Sequence, residues 1–384
     1  MNKKIIIIFL IIFFGTSFIY SQRINASSIK IRIEQSISKL FPNLKVYVSA
    51  VNNENEPVLS LVRGNFSAFV DGKPLESKVD ISGFQYSEEG IAYSLLIAAN
   101  GMMDGEPLDR QLKAATVLLE ALREQDRLSI YTFGEEVSTI FEFKKKGESL
   151  LNKISSVKVL GKNPHLYDAL VYVIRRFDDT ELDRKVVVVM SDGREKGSKY
   201  SKNQLLKIVD EKNIAVYSIG LKIMAGQNLY RIAGISSHTG GGYLYSGNLW
   251  NLPVLMATVI KQIQQGYILN FDINNIEADN QIHQLQIKVN HRGKEATSFK
   301  NFIATKVPIS FWKALILIII TLLVIGGLVY LFIVFRRKRR EMIGISKRKC
   351  PVCKRRMKED WDECRFCKYL PPKEKKKWFK KKSD

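Results

Sequence analysis

The sequence predicts an α/β protein in which a doubly wound, mostly parallel sheet is inserted in a small β-sandwich, followed by one membrane-spanning helix and a small cysteine-bearing tail. Three observations predict it. Apolar strand-like runs alternate with amphipathic helices between residues 91 and 264. Short runs of alternating polarity flank that stretch on both sides. Near the C-terminus an uncharged apolar run is followed at once by five basic residues and then by two Cys-x2-Cys pairs.

The N-terminus orders a basic start at residues 1–4, an apolar run at 5–14, and small and polar residues at 15–21. That is the order of a secretory signal peptide, residues 1–21, cleaved near Ser21. Its apolar run of roughly 10 residues falls short of the about 20 that cross a bilayer. With no cysteine near the junction, a lipoprotein is excluded.

Residues 22–88 read as an N-terminal β module. Residues 45–51 alternate, 52–57 form a turn, and 66–70 are a strand followed by the hairpin turn Asp71-Gly72-Lys73-Pro74. Residues 89–265 carry the α/β pattern. Strands are expected at 91–98, 127–133, 137–143 (an edge), 185–190, 214–219 and 242–245, and helices at 108–125, 165–177, 201–211, 229–236 and 252–264. The β-branched run at 185–190 has the continuity expected of a strand covered on both faces. Residues 266–306 alternate again at 267–273 and 284–289. Two to four strands on either flank alone would leave open edges and a poor core, so both flanks are expected to build one sandwich.

Residues 312–335 are expected to cross a membrane once, because the uncharged run 314–335 reaches about 33 Å as a helix. Trp312 and Tyr330 sit where interfacial aromatics do, and the basic segment 336–347 places the tail on the cytoplasmic side and the bulk of the chain outside. From residue 336 onward there are 21 Lys and Arg against 7 Asp and Glu, so +14 of the formal +22 belongs to the tail. That excess lies beside an anionic leaflet, which accounts for it better than nucleic acid does. In the basic tail, residues 371–384, Trp378 and Phe379 lie between lysine triplets, either solvated or dipping into that leaflet.

All four cysteines lie in residues 348–370. Cys350, Cys353, Cys364 and Cys367 form two pairs separated by ten residues, the spacing of a zinc ribbon with one tetrahedral, structural ion. Unliganded thiols or redox pairs are the alternative. The outer part has no cysteine and no disulfide, so its cores must hold it together.

Several ordered motifs make residues 91–264 resemble a von Willebrand factor type A (VWA) domain of the bacterial VWFA-related kind. They are the first strand ending Leu95-Leu96-Ile97-Ala98, the loop Gly101-Met102-Met103-Asp104-Gly105-Glu106, the segment from Asp126 to Phe133, the pre-helix motif from His165 to Leu170, Ser191-Asp192-Gly193-Arg194, and Thr239-Gly240-Gly241-Gly242-Tyr243. Asn65-Phe66 to Lys73 likewise resembles the turn-rich module that precedes such domains. The resemblance implies a metal-ion-dependent adhesion site. Its first-loop Asp would fall on Ala98, its two Ser on Asn100 and Met102, its second-loop Thr on Pro164 or Asn163, and its third-loop Asp on Asp192. One carboxylate, one amide and a thioether do not satisfy a small hard cation, which argues against a divalent ion there.

The expected site is therefore a degenerate one, a partner-binding surface at the strand-end loops made of Asn100, Met102, Met103, Asn163, Pro164, His165, Asp192 and Arg194. Met102 and Met103 can serve as core or as adaptable contacts, with Met102 the exposed candidate. Asp192 before Gly193 can equally be a turn residue, and His165 lacks a nucleophile to serve. No Gly-x-Ser-x-Gly, no phosphate loop and no outer cysteine is present, so no enzyme is expected.

The expected function is that of a single-pass envelope protein docking another protein without an ion, with the zinc ribbon holding a cytoplasmic component. Three readings stand beside it: a metal-dependent adhesin, an accessory subunit of an ATPase assembly, and a membrane-anchored nucleic-acid regulator. Against the last, few aromatics and the acidic run 359–363 lie between the cysteine pairs. The partner's identity and the oligomeric state are not encoded in any motif.

Overall fold

The computed structural model describes residues 28–370 except 76–78, 225–227, 275, 306–310, 343–348 and 359–360; the expected signal peptide and the basic tail lie outside the described residues. Residues up to Val307 form one unit, and those from Pro308 a second.

The first unit opens with β1 (Lys30–Leu40), β2 (Asn43–Val51), β3 (Phe66–Val70), β4 (Lys73–Pro74) and β5 (Asp80–Gly83). It continues through β6 (Ile91–Ala98), α1 (Glu106–Glu120), β7 (Arg127–Phe133), β8 (Val137–Lys144), α2 (Glu148–Ser155), α3 (Leu166–Arg176) and β9 (Arg184–Ser191). Then follow α4 (Lys202–Lys212), β10 (Ala215–Leu221), α5 (Tyr230–Thr239), β11 (Tyr243–Ser246) and α6 (Leu252–Gln264). Strands β12 (Tyr267–Asp272), β13 (Ile282–His291) and β14 (Lys294–Ile303) close it. The second unit begins with α7 (Phe311–Met342).

Strands β6 to β11 make one six-stranded sheet in the order β11-β10-β9-β6-β7-β8. It is parallel except at the edge, where β8 runs antiparallel to β7. Because β6 pairs with both β7 and β9, the strand order reverses between β6 and β9. The carboxyl ends of these two strands frame the crevice where sheets of this kind bind ligands. β6 is buried at every residue, which explains an unbroken apolar run where a one-faced strand would alternate.

Helix α1 ends at Glu120, short of the expected 125. The cause is Asp126, a buried carboxylate that accepts from the Arg123 backbone N–H at 3.0 Å, the Arg123 guanidinium at 2.8 Å and the Ile91 N–H at 2.9 Å. Those bonds pull the chain out of the helix and fix the start of β6.

On either side of this segment in the sequence, strands combine into two four-stranded antiparallel sheets, β1-β2-β12-β5 and β14-β13-β3-β4. The two share one core, with Ile33, Val46, Val48 and Leu269 from the first and Phe66, Leu285 and Ile287 from the second. Each sheet draws strands from before and after the α/β segment.

Strands β1, β5 and β14 and helix α2 were not anticipated in the sequence, and Lys73–Pro74, expected in a hairpin turn, form the short strand β4. β1 carries a bulge between Ile33 and Gln35, which breaks its alternation and leaves Glu34 buried. In β14 the inward positions are Ala296, Ser298, Lys300 and Phe302, whereas Phe299 and Ile303 are exposed, so side-chain polarity does not follow burial. The Lys300 ammonium is tied to the carbonyls of Glu34 and Thr239 at 3.2 and 3.0 Å, and burial pulls its pKa down to about 8.

Glu34 pairs with Arg184 at 2.7 Å, both almost wholly buried. Arg184 also donates to the Ile263 carbonyl at 2.7 Å and lies over the rings of Phe84 and Tyr47. Tyr217 donates its hydroxyl to the other Glu34 oxygen. Burial, and then the Glu34 charge, hold that phenol protonated well above the usual tyrosine range. One side-chain cluster thus joins β1 to β9, β10 and α6.

In the second unit, Leu315–Arg339 is long and apolar enough to cross a membrane, by length and composition. At 1.5 Å per residue it reaches about 37 Å.

Candidate functional site

Three loops meet at the carboxyl ends of β6, β7 and β9. Main-chain bonds lace the first, residues 99–105 after β6, to the second, residues 160–165 before α3: Leu160 N–H to the Ala99 carbonyl at 2.6 Å and Gly101 N–H to the Gly161 carbonyl at 2.9 Å. His165 N–H ties the second to the turn after β7 through the Gly134 carbonyl at 2.8 Å, and the third is residues 192–201 after β9. Glu135 fastens the second loop from its side chain, accepting from the N–H groups of Lys162 and Asn163 at 3.1 and 3.2 Å. Those backbone bonds hold its carboxyl below the usual range. The third loop caps α3, where Glu195 accepts from Tyr167 N–H at 3.0 Å and Ser198 from Asp168 N–H at 3.2 Å. The loops are therefore set in place by the fold, and an incoming ligand meets a preformed surface.

At their centre lies an ion pair. Asp192, just past β9, is buried and receives the Arg194 guanidinium on Oδ2 at 2.5 Å and the Arg194 backbone N–H on Oδ1 at 3.2 Å. The same guanidinium reaches across the crevice to Oδ1 of Asn100 at 3.0 Å. Gly193 makes this possible. Its φ is +74°, and a Cβ there would stand 2.5 Å from the Asn228 carbonyl, so no side chain fits the turn that returns Arg194 over Asp192.

The positions expected to offer ion ligands now have plain assignments. Ala98 ends β6 with no donor, and Asn100 is buried with Oδ1 committed to Arg194 and to Met102 N–H. Met102 offers a thioether, Pro164 no side-chain donor, Asn163 a neutral amide whose Nδ2 donates to Glu135, and Asp192 is already paired with a cation. These residues do not fit a divalent ion, which needs several converging oxygens.

The expected contact surface also needs correcting in part. Met103 is fully buried in the main core and Pro164 is buried too, so neither presents a side chain to a partner. Asn100 and Asp192 are likewise buried and hold Arg194 in place. Met102, Asn163, His165 and Arg194 are the partly exposed members. Residue reading missed the pairing of Arg194 with Asp192 and Asn100. The Asp-Gly-Arg spacing was its one sequence signal. It also missed Trp250, an exposed ring beneath the Arg110 guanidinium at the start of α1.

A second cluster lies in the tail. The sulfurs of Cys350, Cys353, Cys364 and Cys367 all lie within 4.8 Å of one another, an arrangement that could hold a metal ion. Cys350 and Cys367 are 3.5 Å apart and Cys353 and Cys364 3.6 Å, close to the edge of a tetrahedron with metal–sulfur bonds of about 2.3 Å. The two halves have the same construction. Lys354 N–H bonds the Cys350 carbonyl at 2.9 Å and Lys368 N–H the Cys364 carbonyl at 2.7 Å. Against the opposing effect of burial, the N–H groups of Cys367 and Phe366 draw the Cys364 thiol down to about 6.

Lys354 and Lys368 hold φ of 56° and 53°, a left-handed conformation that costs a non-glycine residue about 1 kcal/mol or more. Lys368→Gly is expected to stabilise the tail by about 0.5–1 kcal/mol. Slower cleavage of residues 349–370 by protease in the full chain checks this; equal or faster cleavage refutes it.

Residues 95–254 match the family model described as the von Willebrand factor type A domain. No curated protein sequence matches the chain. Among solved structures, the chain is similar to a von Willebrand factor type A protein from Catenulispora acidiphila, with 8% identity and a TM-score of 0.42 over 73% of each chain. It is also similar to an aerotolerance-related membrane protein from Bacteroides fragilis, with 15% identity and a TM-score of 0.38, covering 45% of this chain and 99% of that one. A third is the ArnB paralog VWA2 from Sulfolobus acidocaldarius, with 13% identity and a TM-score of 0.37, covering 74% of this chain and 76% of that one.

Proposed function

We propose that this chain, whose residues 95–254 are a von Willebrand factor type A domain, is a non-enzymatic, single-pass membrane protein that docks a protein partner through its strand-end loops without a divalent ion. The observation that carries this is the Arg194 guanidinium, held between Asp192 and Asn100 at the ends of β9 and β6. A fixed positive charge already balances the one carboxylate, and of the remaining ligand positions only Asn100 and Asn163 offer a side-chain oxygen, each a neutral amide.

In this reading the chain divides at 1–21, 22–88, 89–265 and 266–306, with the membrane segment at 312–335 and this domain outside the cytoplasmic membrane; the order of basic, apolar and small residues at 1–21 supports that orientation. The basic run Arg336 to Arg340, in the last turns of α7, supports a tail on the inner side. There Cys350, Cys353, Cys364 and Cys367 bind zinc as a structural ion, and the ribbon so formed docks a cytoplasmic component.

Crosslinking in intact cells with and without a membrane-impermeant chelator tests the docking mode, because such a chelator reaches the outer domain and spares the tail. Crosslinked partner is expected to be recovered in equal yield. A loss that added Mg²⁺ or Mn²⁺ restores would instead establish a metal-dependent adhesin.

A further inference from the structure

We propose that the cysteine-bearing ribbon lies against the anionic inner leaflet of the membrane that its own chain crosses, with Val352 and Phe366 as apolar tips set between the headgroups. This rests on the orientation and the structural zinc proposed above, and it names the surface the ribbon meets there. The tips follow from how the ribbon is built. Cys350-Pro351-Val352-Cys353-Lys354 and Cys364-Arg365-Phe366-Cys367-Lys368 are two copies of one turn. In each, the N–H of the first cysteine donates to a carbonyl five residues on, that of Arg355 at 2.8 Å and that of Tyr369 at 2.9 Å. The N–H groups of Val352 and Phe366 bond the sulfurs of Cys350 and Cys364. Their side chains therefore turn away from the metal site and are 62% and 55% exposed, and Leu370, just past the second turn, is 67% exposed. Apolar surface rimmed by charge in this way marks a contact site.

Charge and chain length identify what covers it. Lys349, Lys354 and Arg355 flank Val352, and Arg365 and Lys368 flank Phe366, all of them exposed. The acids of the ribbon are confined to residues 359–363, and four thiolates around one Zn²⁺ add further negative charge. The attraction therefore comes from where the cations stand, beside the tips, and from the flanking segments. Seven basic residues precede the ribbon at 336–348 and seven follow it at 371–384. Residue 349 is ten residues past Arg339, where the apolar part of α7 ends, so at most about 36 Å of chain separates them. Held this near, the ribbon meets the leaflet at high effective concentration, and a weak affinity suffices. Anionic headgroups attract the cations, and the tips gain by leaving water. A nucleic acid would use the same cations, but Val352 and Leu370 offer no ring on which a base could stack.

The test exchanges Phe366, or Val352, for the photoreactive p-benzoylphenylalanine in the full chain, reconstituted in nanodiscs of phosphatidylcholine alone or with phosphatidylglycerol. Illumination is expected to give lipid adducts at both positions, at least about fivefold more in the anionic discs, roughly the worth of one surface cation. The same probe at Glu363, in the acidic segment, should give far fewer. Lys354→Asn with Lys368→Asn keeps the left-handed turns, which asparagine tolerates, and should remove most of the anionic preference. Zinc content measured on each variant shows that its ribbon is folded.

Equal yields in the two kinds of disc, or yields at 363 that match those at the tips, overturn the proposal. So does illumination of intact cells that links the tips to RNA or to a protein in place of lipid. A protein adduct would leave a cytoplasmic docking partner standing and remove the leaflet as the surface. Protease that removes the tail when added outside intact cells would instead remove the orientation on which both readings depend.

Discussion

Replacing Arg184 with methionine is expected to destabilise the first unit by about 3–5 kcal/mol, the usual cost of leaving one member of a buried ion pair alone. Arg184 and Glu34 expose about 2% and 1% of their side chains, so water cannot take over the lost partner. The substitution also frees the Ile263 carbonyl, which the guanidinium binds at 2.7 Å, and leaves Tyr217 as the remaining donor to Glu34. Pulse proteolysis of the full chain in a urea series reads the effect directly. Adding Glu34→Gln to Arg184→Met removes the stranded charge, and at least half of the loss should then be recovered. A loss below about 1 kcal/mol in the single variant would mean that the pair is in contact with solvent, as surface pairs are. The consequence reaches beyond stability. β1 lies before the α/β segment in sequence, and α6 ends it, so this cluster fixes the flanking sandwich against the amino ends of β9 and β10. The loops proposed to dock a partner lie at the carboxyl ends of the sheet, opposite this cluster.

The fold was legible where burial is uniform and hidden where it is not. Residues 185–190 declared themselves because β9 is covered on both faces and every position from Val186 to Met190 is apolar and buried. β1 did not, because a bulge turns Glu34 inward and spoils the period of two, and β14 did not, because Ser298 and Lys300 occupy the inward positions that an apolar pattern should mark. The site divides in the same way. Loop order along the chain gives which positions correspond to ion ligands, and their side chains argue against an ion without any coordinates. What stands there instead depends on a contact between residues 94 apart, Arg194 and Asn100, produced by one left-handed glycine. No local pattern reports such a contact. Nor does composition tell that Met103 turns into the core while its neighbour Met102 stays partly exposed.

Stripping metal from the tail, or replacing Cys364 with serine, is expected to unfold residues 349–370 completely while leaving the first unit unchanged. The reason is how little else holds this segment. Among the described residues its buried core is Cys350, Met357 and Cys364, with Trp361, Tyr369 and the other two cysteines only partly buried around them. So small a cluster cannot offset the conformational entropy of ordering about twenty residues. A tetrahedral ion held by four thiolates can, because its binding energy is folding energy when no site exists in the unfolded chain. Two readouts separate the metal from mere packing. Alkylation of the four thiols should be slow in the loaded chain and fast after chelation in detergent, and elemental analysis should find one zinc per chain before and none after. The first unit has no cysteine and serves as the internal control. Thiols that stay protected without metal, or a chain that contains none and forms a Cys350–Cys367 disulfide in its place, would identify a redox pair. The left-handed Lys354 and Lys368 would then be features of a thiol switch, with no ion for their turns to embrace.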